Sequence, residues 1–176
     1  MHALIVGANG TGKSTLIRHV LQALSVPIFG FETVKEDSLE EPDLGSPIYI
    51  YEAGKEHIQT SKNLVGYCHK QKSSAIHTGF DHFAPLLLCP PPDRHLIMMD
   101  EIGFMESKSE LFCQAILSVL DGDIPVIAAV RDKNVPFLET VRSHPKAHVF
   151  RITQENRLSL YDELLDFMKT QLEEYR

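Results

Sequence analysis

Gly7-Ala8-Asn9-Gly10-Thr11-Gly12-Lys13-Ser14 is the stretch on which the fold turns. It fills every fixed position of the pattern G-x-x-x-x-G-K-S. The apolar run Ala3-Leu4-Ile5-Val6 precedes it, and the helical pattern from Thr15 to Leu24 follows at once. Strand, loop and helix in that order are the setting in which such a loop cradles phosphate. Glycines let the backbone turn its N–H groups inward toward an anion. The helix N-terminus adds a partial positive charge beneath it. Phosphate contacts are therefore expected along Gly7, Ala8, Asn9, Gly10, Thr11, Gly12, Lys13, Ser14 and Thr15. Lys13 is expected to reach the β- and γ-phosphates and to act in catalysis, and the Ser14 hydroxyl to ligate Mg²⁺.

Working outward, 176 residues suffice for one α/β domain over 1–176 with a real core. A hydrophobic content of 43% is that of a soluble globular protein. The formal charge of −7 argues against broad nucleic-acid binding, which relies on clustered Lys and Arg. Gly10, Gly12 and Lys13 cut the first apolar run, so no signal peptide is expected there. No apolar stretch approaches a membrane span. Cys68, Cys89 and Cys113 are odd in number and form no C-x-x-C, which points to a reducing cytoplasm.

Strands are expected at Ala3–Val6, Val26–Phe31, Pro47–Tyr51, His95–Met99, Ile124–Val130 and His148–Ile152. Helices are expected at Lys13–Leu24, Gly79–Leu87, Lys108–Leu120, Val135–Ser143 and Asn156–Tyr175. In the last helix, Leu158, Tyr161, Leu164, Leu165, Met168 and Leu172 recur at three and four residues and predict one buried face. The alternation implies a mostly parallel sheet with helices on both sides. Glu32–Ser46 reads as acidic and turn-rich, and Cys89–Arg94 as a proline-stiffened connector. The region from Tyr49 to His77 is compatible with short antiparallel strands or with a flap.

The run His95-Leu96-Ile97-Met98-Met99-Asp100-Glu101 is apolar and ends in two carboxylates. A phosphate loop needs such a partner on a neighbouring strand. Asp100 is the expected Mg²⁺ ligand alongside Ser14. Strand alternation sends Glu101 to the other side, where a carboxylate polarises a water for attack on the γ-phosphate. Arg131 and Lys133 follow an apolar run and suit phosphate sensing or plain solvation equally. Arg157 is placed to approach the nucleotide or to cap the last helix. No N-K-x-D occurs, so a GTPase base-reading loop is absent. The spacing of His69, His77, His82, Cys68 and Cys89 matches no closed zinc pattern.

The segment Asp100-Glu101-Ile102-Gly103-Phe104-Met105-Glu106 resembles the D-E-I-G-K-M-E segment of the Thep-type nucleoside triphosphatases, which include the thermophilic and cancer-related enzymes. The likeness continues through Glu110-Leu111-Phe112, Pro125-Val126-Ile127-Ala128, Pro136-Phe137 and Val149–Arg157. Upstream, Gly30-Phe31-Glu32-Thr33 looks like that family's G-F-x-T. The resemblance implies a P-loop NTPase with a RecA-like three-layer core. It also implies Mg²⁺-dependent hydrolysis of ATP, GTP or another NTP to NDP and phosphate, with broad base tolerance. Phe104 replaces the family's usual lysine, Ala129 stands where a threonine is frequent, and Lys35 is a shifted substitute for an arginine. The residues also leave open a P-loop kinase acting on a small metabolite, and a slow nucleotide-driven switch or assembly protein.

Overall fold

The computed structural model describes every residue except Gln71, Arg94, His95 and Arg176. The expected strand start at His95 and the expected connector end at Arg94 lie outside the described residues. In chain order the strands are β1 (His2–Gly7), β2 (Ile28–Lys35), β3 (Ser46–Glu52), β4 (Leu64–His69), β5 (Lys72–Ala75), β6 (Leu96–Ile102), β7 (Val126–Arg131) and β8 (Ala147–Arg151). The helices are α1 (Lys13–Leu24), α2 (His77–Leu87), α3 (Glu110–Asp121), α4 (Pro136–Arg142) and α5 (Arg157–Tyr175).

Among the described residues, eight strands join one sheet in the order β5-β4-β3-β2-β6-β7-β1-β8. The run from β2 to β8 is parallel. The strands β3, β4 and β5 extend it antiparallel from β2. The hard-to-read region after Tyr49 is thus an antiparallel extension. The acidic stretch expected to begin at Glu32 begins later, because Glu32–Lys35 still pair with β3 as strand.

Alternation along β1 explains the three layers. Leu4 and Val6 face a core built with Phe112, Ile116 and Leu138 from α3 and α4. Ala3 and Ile5 face the opposite core, built with Ile17, Val20, Leu164 and Met168 from α1 and α5. A sheet buried on both faces needs near-continuous apolar strands, and β1 is buried along its whole length.

The stripe of α5 is Leu160, Leu164, Met168 and Leu172, joined by Gln171. Leu158, expected on that face, is 89% exposed. At 100° per residue, Leu158 sits about 200° from Leu160 and so turns to the other side of the helix.

Candidate nucleotide site

Residues 8–12 bridge the end of β1 and the start of α1, and Gly12 caps the helix at φ 94°. That left-handed angle suits glycine alone at no steric cost. A Cβ there would also lie 3.0 Å from Cδ of Arg157. The start of α5 therefore leans its arginine directly on the loop. The turn that delivers Arg157 is tied by Asn156, whose side chain accepts from Thr153 N–H at 2.8 Å and donates to the Arg151 carbonyl at 2.9 Å. Asn156 thus holds together the turn ahead of α5.

Lys13 is 4% exposed. Its ammonium curls back over the loop and donates to the carbonyls of Gly7 at 3.0 Å and Ala8 at 2.9 Å. Its third partner is Glu101, at 3.0 Å. The other Glu101 oxygen accepts from Arg131 Nε at 2.7 Å. Glu101 is thus gripped from two sides by cations from β7 and the loop. Ser14 donates its hydroxyl to Asp100 Oδ1 at 2.8 Å. Burial pushes the Asp100 carboxyl above its ordinary range, opposed by that hydroxyl and reinforced by Glu101.

Two features differ from the sequence expectation. The acidic strand β6 does not adjoin β1, because β7 lies between them. The alternation expected at Asp100-Glu101 is broken, because the β6–β7 register shifts there: Asp100 pairs with Ala129 and Ile102 with Val130. Glu101 is the extra residue of a bulge, and bulges re-aim side chains. Both carboxylates consequently serve the loop, Asp100 through Ser14 and Glu101 through Lys13. The peptide between them is cis.

Lys133 holds its ammonium 5.0 Å above the Phe104 ring, which occupies the position of the family's usual lysine. Arg131 reaches the site; Lys133 stands farther out, on the wall of an adjoining cavity. Ala129 is fully buried in the core beneath α1 and α5.

Glu106 had no role from sequence. It is 3% exposed and accepts the Gly103 N–H at 2.7 Å, which pins the turn after the carboxylate pair. Burial raises its carboxyl to about 7, helped by the nearby Glu101 charge and opposed by the Gly103 N–H hydrogen bond and the Arg131 charge. Its place at the end of D-E-I-G-x-M-E was the only available hint. A groove of about 610 Å³ between α1 and α5 also escaped notice. Thr15, Leu16, His19, Arg157, Leu158 and Tyr161 line it. Apolar spacing alone turns Leu158 inward, whereas in the fold it borders this groove.

Residues 2–165 match the family described as NTPase. The chain is 27% identical to the nucleoside-triphosphatase THEP1 of Thermotoga maritima, with 96% of each chain covered. It is 29% identical to the cancer-related nucleoside-triphosphatase homolog of Mus musculus, over 93% of this chain and 94% of that one. Its fold is similar to the crystal structure of THEP1 from Aquifex aeolicus, with a TM-score of 0.68 at 22% identity, covering 95% of this chain and 98% of that one.

Proposed function

The chain belongs to the NTPase family, and from that premise we propose that it is a phosphohydrolase converting NTP and water to NDP and phosphate. The observation that carries this reading is the placement of Glu101. It lies between Lys13 at 3.0 Å and Arg131 at 2.7 Å, next in sequence to the carboxylate that holds Ser14.

The phosphates rest on the inward N–H groups of residues 7–15. Lys13 exchanges the Gly7 and Ala8 carbonyls and Glu101 for phosphate oxygens. That exchange leaves Glu101 facing a water, whose proton it takes during attack on the γ-phosphorus. Arg131 remains beside it to balance charge on the transferring group. Ser14 and Asp100 bring a hydroxyl and a carboxylate oxygen together at 2.8 Å, the hard-oxygen donor set that suits Mg²⁺. When bound, that ion neutralises charge on the β- and γ-phosphate oxygens.

The groove beside Thr15 and Arg157 is the seat we assign to base and ribose. Leu16, Leu158 and the Tyr161 ring offer the base surfaces for stacking, which every base can use, and this supports broad base tolerance. No described helix is long and apolar enough to cross a membrane. The free thiols Cys68, Cys89 and Cys113 suit a reducing cytoplasm.

Phosphate release from ATP, GTP, CTP and UTP over a Mg²⁺ titration tests the reading. Comparable turnover on all four is expected. Lys13→Ala should nearly abolish it, and Asp100→Asn should shift the Mg²⁺ requirement strongly upward. Near-parental kcat in a folded Lys13→Ala protein would remove the loop from the mechanism.

A further inference from the structure

Beyond Glu101, on the side away from the base groove, lies a cavity of about 710 Å³. Small-molecule sites typically span roughly 300–1,000 Å³, whereas one water needs about 30 Å³. Hydrolysis alone does not call for this space. The cavity is not the phosphate cradle either, since Lys13, Ser14 and Asp100 do not line it. It meets the cradle at Ala8, Asn9, Glu101 and Arg131. From there it runs to Lys35 on β2 and Ser73 on β5. The antiparallel extension thus builds its far wall.

The charges of that wall select a ligand. Glu101 is already held by Lys13 and Arg131, and Asp132 lies 3.6 Å from Arg151. Lys133 makes no ion pair among the described residues and has only the Phe104 ring beneath it. Lys35 is half exposed and pairs with Asp37, itself 69% exposed. An exposed pair of that kind is weak and readily exchanged. The Ser73 hydroxyl makes no hydrogen bond among the described residues. Two available ammonium groups and a free hydroxyl, above an apolar floor of Phe104 and Met105, fit a small anion carrying hydroxyl groups.

We propose that this cavity takes a second substrate, a small hydroxyl-bearing anion, which competes with water for the γ-phosphoryl group. The proposal rests on NTP binding at the loop. The acceptor's hydroxyl oxygen forms the bond to the γ-phosphorus. The bond from that phosphorus to the β,γ-bridging oxygen breaks, and NDP leaves with the electron pair. The hydroxyl proton passes to Glu101 and then to solvent. The products are NDP and a phosphate monoester.

The test supplies Mg²⁺–ATP with ribose 5-phosphate, ribonate or ribose, and counts inorganic phosphate against new monoester by ³¹P NMR. One of the two anions is expected to divert phosphoryl groups to a monoester saturably, and neutral ribose to need about tenfold more for the same effect. The two anions tell a phosphate end from a carboxylate end. Lys35→Ala and Ser73→Tyr, made separately, should cut the monoester about tenfold while phosphate release from ATP alone stays unchanged. Inorganic phosphate as the sole transfer product with every probe, at intact turnover, overturns the proposal. So does equal use of ribose and its anions, or transfer untouched by both variants. Monoester formation without any release to water would instead keep the acceptor site and discard the phosphohydrolase reading.

Discussion

Glu101 carries two opposing demands. It must be held, and Lys13 and Arg131 hold it. On the proposed reading it must also be free when water arrives, with the phosphates drawing Lys13 away. Glu101→Gln keeps the size and most of the hydrogen bonding but cannot take a proton. We expect nucleotide binding to persist and the chemical step to slow by about 10²–10⁴-fold. Single-turnover hydrolysis beside direct nucleotide binding decides it: hydrolysis at the parental rate removes Glu101 as base, and lost binding makes it structural. Glu106 works on stability instead. Its folded-state value of about 7 stands above the ordinary 4.5, so the fold favours the neutral acid. The stability this contributes is complete below about 4.5 and is lost as pH rises to about 7, an effect of about 3 kcal/mol at most. Glu106→Gln escapes that loss. The midpoint of thermal unfolding should favour the variant increasingly from pH 5 to pH 8, and a constant gap would show that Glu106 is ionised in the fold throughout.

At the scale of elements, β2 bears on the site through one glycine. Gly30 has φ 122°, and a Cβ there would lie 1.9 Å from the Met98 carbonyl of β6. The two residues are register partners, two positions before Asp100. Gly30→Ala should cost about 3 kcal/mol or more and lower kcat by displacing the carboxylate pair. Urea unfolding with parallel kinetics checks both, and a variant of parental stability would mean the strands part easily. This glycine was visible in the sequence as part of Gly30-Phe31-Glu32-Thr33, but its partner was not, because pairing is a long-range fact. The same limit hid the bulge at Glu101. Periodicity gives the strand, whereas an extra residue shows only against the neighbour it fails to match. The face of α5 failed for another reason. Leu158 satisfies the apolar spacing with Tyr161 and Leu165, but in the fold it borders the open groove beside α1 and stays exposed.

For the molecule as a whole, the glycine-rich turn between β1 and α1, the adjacent acids near the end of β6 and the alternation of strands and helices were legible, since each is a local pattern with a physical cause. The order of the strands was not. The expectation of neighbouring β1 and β6 was reasonable chemistry and wrong topology, because sheet order is settled by crossovers that leave no local mark. That order has a consequence of its own. Adjacent strands sit about 4.8 Å apart by main-chain hydrogen bonding, so β7 acts as a fixed gauge block of two such intervals between loop and acids. The working gap of the site is therefore machined into backbone, with a tolerance that no side chain sets. Residues of β7 can be exchanged among small apolar types without altering it, while one lost rung of its ladder would spoil the dimension for both halves at once.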